Sequence, residues 1–478
     1  MKLYIQVMFA MWRRVVLRQN TGEVLRKFAE RMGVVYIKLA QMLAMQNYGE
    51  IFTEDDRQKL VEICDDCNPI SFREIQRILK REYGDDLRGI FAEIEETPIG
   101  SASVSQVHRA RLKTGEDVVI KVKRPDVASG IAKDVAILKK MMRRFGKWVK
   151  FRNFTGGERA LDLYLKWIYE ETDFEHEQRN IKCYGDFAEN VNGRVAGTTS
   201  IMVPKLYSEF CTENILVMEF VSYPTINKIK FTRQERVKVS QALNSYIRSS
   251  FWALLNDQPV VFHGDPHGGN VCVDEEGNMW FLDMGLLCIM TPEETKMCRE
   301  FFLAAYMGDD EKLFEILVDY GDMDLHKRQK FREDCGRFCE TVKGKDITYY
   351  FLDMMNVCLE YEFVPPDFLF SMAKAFVCIN GISNLAKNNC EAISLLKCQV
   401  MEFMLKRSVR DVMQIARDGI EVIPKVWDRF GACDIVGVMN QLASNVQIQS
   451  DLQGMMTHCR EIIKLAGMRE GSKVNVYF

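Results

Sequence analysis

Val260–Gly285, VVFHGDPHGGNVCVDEEGNMWFLDMG, is the stretch on which the reading of this chain turns. Asp265 is followed five positions on by Asn270. Asp283-Met284-Gly285 comes after a segment whose centre, DEEGN, is composed like a hairpin tip. Phosphoryl transfer needs little covalent help. It needs a metal held against phosphate oxygens and a carboxylate that positions the attacking group. An Asp, an Asn and a second Asp on one loop and the next turn offer both. Taken alone, HGDPHGGN is also composed like an ordinary turn, so the residues around it have to decide.

Three upstream features stand in the order that this chemistry requires. Gly100-Ser101-Ala102-Ser103-Val104-Ser105-Gln106-Val107 keeps the frame of a phosphate-cradling loop, with Ala102 and Ser105 where glycines would stand. Backbone N–H groups can approach phosphates where side chains are tiny, so Gly100, Ser101, Ala102 and Ser103 are expected to contact a nucleotide. Val118-Val119-Ile120-Lys121 reads as a strand whose lysine reaches phosphates. Its expected partner is Glu177, on a long helix predicted through ERALDLYLKWIYEETDFEHEQRNIKCYGDF. In such a helix Asp173, Glu177 and Asn180 share one face and Glu171 points away from it. Glu219, at the end of the candidate strand NILVMEFV, opens a hinge running to Tyr223 and is a further nucleotide contact. Asp265 would position or deprotonate the attacking hydroxyl or water, and Asn270 and Asp283 would carry metal.

The totals set limits. With 478 residues, 47% hydrophobic and 27% charged, the chain has the composition of a folded protein and the length for more than one lobe. A net charge of -3 and the lack of a basic block argue against a nucleic-acid partner. Fifteen cysteines without a repeating spacing read as reduced thiols in a cytoplasmic setting, and the isolated Cys64-Asp65-Asp66-Cys67 reads as structural rather than zinc-binding. No apolar run reaches the ~18 residues needed to span a bilayer. MKLYIQVMFAMWRRVVLRQN has its charge after the apolar run, which does not suit a secretory signal. It suits equally a helix on a membrane surface, giving peripheral contact, and a helix packed on the protein.

Along the chain, apolar spacing predicts helices from about residue 20 to 92, one of them opened by a Ser71/Glu74 capping box. The pattern changes near Thr97 to strand, turn at Thr114-Gly115, and strand. Helix is expected again over Ala132–Val149, then strands SIMVPKLY and NILVMEFV, then helices after Thr291. The expected domains are residues 1–95, a helical extension; 96–220, a sheet-bearing lobe; and 221–478, a mostly helical lobe with C-terminal helices.

As a set, these motifs resemble the UbiB family of atypical kinases, also called aarF-domain kinases. Lys38-Leu39-Ala40-Gln41 stands where the family has K-x-G-Q, PIGSASVSQVHRA where it has an alanine-rich nucleotide loop, and Glu171-Thr172-Asp173 where it has E-x-D. His263–Asn270 matches HGDPHPGN and Asp283-Met284-Gly285 matches DFG. The likeness runs in order from about residue 20 to about 310. It implies an α+β, bilobed protein-kinase-like fold with a helical N-terminal extension and a mostly helical C-terminal lobe. It also implies ATP with Mg2+, hydrolysis or transfer of the γ-phosphoryl group, and a link to isoprenoid-quinone biosynthesis or lipid homeostasis. Lys38 and Gln41 would fold over the cleft and Glu171 and Asp173 would brace them.

Four positions depart from the family pattern. Ala40 replaces a glycine, Gly100-Ser101 interrupts the alanine run, Met284 replaces a phenylalanine, and Gly268 replaces a proline, which is expected to loosen the loop. A competing reading is a nucleotide-gated binding protein with negligible turnover. An ordinary protein kinase is disfavoured, because helix is expected directly after the turn at Asp283, leaving no activation segment.

Overall fold

The computed structural model describes residues 21–32, 35–37, 69–102, 104–125, 127–145, 165–166, 168–256, 258–307, 309–319, 328–341 and 367–387. Met1–Lys397 form one compact unit and Cys398–Phe478 a second, and every described residue belongs to the first. The expectations for Lys38, Gln41, Ser103, the Cys64/Cys67 pair and the N-terminal segment lie outside the described residues.

Helix α1 (Thr21–Met32) precedes α2 (Phe72–Tyr83). In α2, Ile75, Ile78 and Leu79 recur at helical spacing and are buried in a core shared with the sheet below. The expected capping box does not form. The Ser71 side chain makes no cap hydrogen bond, its backbone carbonyl accepts from Glu74 and Ile75, and the Glu74 carboxylate pairs with Arg77. A short helix, α3 (Leu87–Ile90), leads into β1 (Phe91–Ile94).

β1, β2 (Gly100–Ser101), β3 (Ser105–Leu112) and β4 (Asp117–Lys123) belong to one antiparallel sheet. Gly115, at φ 108, closes the β3–β4 hairpin in a conformation that glycine adopts without a Cβ penalty. Val118, Ile120 and Val122 of β4 enter the core under α2. Strand alternation therefore sends Lys121 to the opposite face.

α4 (Val127–Phe145) starts earlier than the expected Ala132. The long helix expected through residues 171–180 is broken: residues 168–171 are helical, Asp173 is extended (φ -98, ψ 99), and α5 spans Phe174–Val191. Of SIMVPKLY only β5 (Ile201–Met202) is strand, and it pairs parallel with a strand of the lower lobe. Pro204, with no N–H to donate, stands just beyond it. β6 (Ile215–Glu219) completes the five-stranded sheet, in the order β1-β3-β4-β6 with β2 beside β3.

α6 (Arg233–Leu255) leads to β7 (Val261–His263), and β8 (Val271–Val273) and β9 (Met279–Phe281) form the expected hairpin, with Gly277 at φ 85 in its tip. β10 (Leu287–Ile289) returns to pair with β7. Pairing of these two strands sets the loop after β7 beside the turn after β9. Then come α7 (Pro292–Met307), α8 (Asp310–Asp319), α9 (Arg328–Thr341) and α10 (Asp367–Ala386). A reciprocal capping box opens α7: Glu294 N–H donates to Thr291 Oγ1, and Thr291 N–H to Glu294 Oε2. An antiparallel sheet above, a mostly helical lobe below and the β7–β8 and β9–β10 connections between them make the α+β protein-kinase-like fold. Among the described residues no helix is long and apolar enough to cross a membrane.

Candidate active site

Beneath the sheet lies an open cleft, lined from above by Ala102, Val104, Ser105 and Lys121 and from below by Asp265, Asn270, Asp283 and Glu171. Lys121 Nζ donates to both Glu177 oxygens, at 2.7 and 2.9 Å, and to Asp283 Oδ2 at 2.9 Å. Burial works against the lysine's charge, but the two carboxylates outweigh it and raise its pKa. Burial likewise opposes the charge of Asp283. There Lys121 and the Gly285 N–H prevail and hold the carboxyl well below the usual range. Glu177 is fully buried, and burial pushes its carboxyl up against the pull of Lys121.

One helix places both partners of this lysine. Glu177 and Asn180, on one face of α5, are both buried, and Asn180 Nδ2 donates to the Met284 carbonyl at 2.8 Å. α5 thus fixes Lys121 and the Asp283–Gly285 turn together. Met284 is buried, as an apolar residue after Asp283 requires. Asp173 does not share this face. It caps α5, accepting the N–H groups of Glu175 and His176. Glu171 lines the cleft beside Gly285, whose added Cβ would stand 3.8 Å from Glu171 Cγ.

The β7–β8 loop is pinned from within. His263 Nδ1 accepts the Asp265 N–H at 3.1 Å, which makes Nε2 the donor to the Asp283 carbonyl at 2.6 Å. The ring is neutral: burial, against the opposing pull of the Asp283 carbonyl, lowers its pKa to about 4. Asn270 Nδ2 donates to the Asp265 carbonyl at 2.9 Å, while Asn270 Oδ1 is buried without a hydrogen-bond partner among the described residues. A buried carbonyl oxygen with no donor among the described residues, in the same cleft as an ionised carboxylate, suits a hard divalent cation.

At Gly268 the Asn227 side chain fills the space that a Cβ would need, and the Asn227 N–H donates to the Gly268 carbonyl at 2.9 Å. Gly100 and Ser101 lie on β2, and Arg124 ties that segment down by donating to Ser101 Oγ and to the Ala102 carbonyl, both at 2.7 Å. Glu219 ends β6, where its side chain accepts the Lys205 N–H at 3.1 Å.

Two contacts have no counterpart in the sequence reading. Lys374 Nζ donates to Asp265 Oδ2 at 2.8 Å, and Cys378 Sγ to Asp265 Oδ1 at 3.4 Å. Both residues sit on α10, more than a hundred positions from the loop. The only local signal is a lone charge in an apolar helix.

The fold is that of an atypical kinase-like domain. Residues 62–317, more than half of the chain, match the model of the ABC1 atypical kinase-like domain, and the chain belongs to this ABC1/UbiB family. It is 26% identical over 383 residues to a protein of Actinobacillus pleuropneumoniae named probable protein kinase UbiB, covering 76% of this chain and 68% of that one. With an uncharacterised Synechocystis protein it shares 25% identity over 382 residues, covering 76% of this chain and 62% of the relative's length. The solved structure of a Mycobacterium tuberculosis protein bound to erythromycin aligns with 68% of this chain and 84% of its own, at 17% identity and a TM-score of 0.45.

Proposed function

We propose that this chain binds ATP with Mg2+ and hydrolyses or transfers the γ-phosphoryl group. The observation that carries the reading is the facing of two sets of groups across one cleft. Lys121 is held by Glu177 and Asp283, and Asn270 Oδ1, without a partner among the described residues, stands in the same cleft as Asp265. Lys121 would hold phosphate oxygens, with Glu177 keeping it aimed, while Gly100 to Ser103 would approach the phosphates through their backbone and Glu219 would mark the adenine side. Asn270 and Asp283 would hold Mg2+, which when bound neutralises charge on the phosphates. Asp265 would orient the attacking hydroxyl or water and accept its proton. His263 contributes by rigidity, since it ties the Asp265 loop to the Asp283 turn.

Residues 1–95, 96–220 and 221–478 would then serve as extension, nucleotide-holding lobe and catalytic lobe. Lys38 and Gln41 would cover the cleft, with Glu171 and Asp173 bracing them. A role in isoprenoid-quinone biosynthesis or lipid homeostasis, in the cytoplasm or at a membrane surface through residues 1–18, follows from the family resemblance.

Thermal unfolding with and without Mg2+ and ATP, beside phosphate release, tests this in the wild type and Asp283→Asn. Ligand at a hundredfold over its Kd stabilises by about 2.7 kcal/mol. The wild type is expected to show that shift with metal and nucleotide together, and Asp283→Asn to lose shift and turnover. No metal-dependent shift in the wild type overturns the proposal. A shift without Asp283-dependent phosphate release supports a nucleotide-gated binding protein instead.

A further inference from the structure

Asp265 meets its counter-ion from outside its own loop, since HGDPHGGN contains no lysine or arginine. The cation comes from α10, where Lys374 reaches one carboxylate oxygen and Cys378, one turn on, reaches the other. Positions i and i+4 share a helix face, so a single face of α10 grips both oxygens.

Lys374 and Cys378 are each 8% exposed. Between Phe368 and Ala386 α10 carries no other charge, and Met372, Ala375, Phe376 and Ile379 around the lysine are buried and apolar or aromatic. A lysine in such surroundings costs desolvation free energy. Apolar residues of similar volume commonly serve stability as well as a buried ion pair does. Packing therefore does not account for the lysine, whereas the orientation of Asp265 does. α10 also packs on α6, β7 and β10, so the ammonium is fixed relative to the strand that opens the loop. The helix starts at Asp367, beyond residue 317 where the family match ends.

We propose that Lys374 is a positioning residue of the phosphoryl-transfer site, which through its ion pair fixes the orientation of Asp265 while Cys378 holds the second oxygen. The active centre is then completed by a helix outside the matched domain. This rests on the function proposed above.

The test measures kcat and KM for ATP by phosphate release on the full chain. The variants are Lys374→Met, Lys374→Arg, Asp265→Asn and the Lys374→Met/Asp265→Asn pair, each also unfolded thermally with and without Mg2+ and ATP. Lys374→Met is expected to lower kcat by about tenfold to a hundredfold, as misplacement of a catalytic group does. KM and the nucleotide-dependent thermal shift should stay as in the wild type. Lys374→Arg keeps the charge and is expected to recover most of the rate. In the Asp265→Asn background Lys374→Met should have no further effect on kcat. Cys378→Ala, which leaves the lysine in place, should give a smaller loss that is equally silent in that background. Losses that multiply independently there, or a folded Lys374→Met protein turning over at the wild-type rate, overturn the proposal. A wild type with neither nucleotide shift nor phosphate release overturns the parent reading, and Lys374 then has no reaction to position.

Discussion

Gly264, between His263 and Asp265, is where a single added carbon should do the most damage. A Cβ there would stand 2.7 Å from Leu286 Cγ, 3.0 Å from its Cδ2 and 3.2 Å from its carbonyl oxygen. Ordinary contact begins at 3.4 Å, so Leu286 would have to withdraw by about 0.7 Å. It has little room to do so, being 3% exposed with its carbonyl accepting the Gly264 N–H at 2.9 Å. Side chain and backbone must both give, which moves the Asp265 loop against the Asp283 turn. Overpacking of a core costs about 1–3 kcal/mol, and backbone involvement puts Gly264→Ala near the top, at about 2–3 kcal/mol. Urea unfolding should show a lower midpoint at unchanged slope, and phosphate release should fall by about a hundredfold. Leu286→Ala alone should cost about 2–5 kcal/mol. In the double variant the alanine at 264 fills part of the vacated space, so the losses should fall short of additivity by at least about 1 kcal/mol. A Gly264→Ala protein within about 0.5 kcal/mol of the wild type, or strict additivity in the pair, would refute this reasoning.

Three further outcomes follow from the geometry. Burial lowers the pKa of His263 to about 4, so between that value and about 6.5 the unfolded chain binds the proton that the folded chain refuses. The stability at stake is complete above about pH 6.5 and is lost as pH falls, by about 1 kcal/mol at pH 5.5 and about 3 kcal/mol near pH 4. Unfolding from pH 7.5 to 5.5 should be steeper in the wild type than in His263→Gln, and equal slopes would sink the argument. Asp274 accepts the Asn278 N–H at 2.7 Å, the Asn278 carboxamide at 3.0 Å and the Trp280 indole at 2.9 Å, so Asp274→Ala should cost about 2–4 kcal/mol in denaturant unfolding. Thr291→Ala should cost about 1 kcal/mol and Ser71→Ala only a few tenths, because only the threonine caps through its side chain; equal losses on unfolding would contradict this.

What was legible from the residues was local. The β3–β4 hairpin follows from alternation around Thr114-Gly115, and the β8–β9 hairpin from the tip composition near Gly277, since turn chemistry and pleat act over a few neighbours. Helix breaks were harder. Asp173 suits a helix face and an N-cap equally by composition, and the neighbouring Phe174, with no exposed surface, shows how far tertiary burial governs this junction. Ser71-x-x-Glu74 and Thr291-x-x-Glu294 carry the same capping signature, yet only the second closes; in the first the Ser71 side chain makes no cap hydrogen bond and Glu74 pairs with Arg77.

By itself the sequence determined which chemical groups are present and their order along the chain: small-residue loop, strand lysine, helix acid, Asp265, Asn270, Asp283. Alternation in β4 even turned Lys121 to the correct face. Glu177 was the acid expected for that lysine, and the physical reason that it is chosen over its neighbours lies in three dimensions. Glu170, Glu171, Asp173, Glu175 and Glu177 all stand within one short stretch, and burial on α5 singles out Glu177. The lysine's second carboxylate lies 162 positions away, and the cation for Asp265 lies 109 positions beyond it. Propensity and periodicity act between near neighbours. A buried ion pair depends on distances that only the packed chain sets.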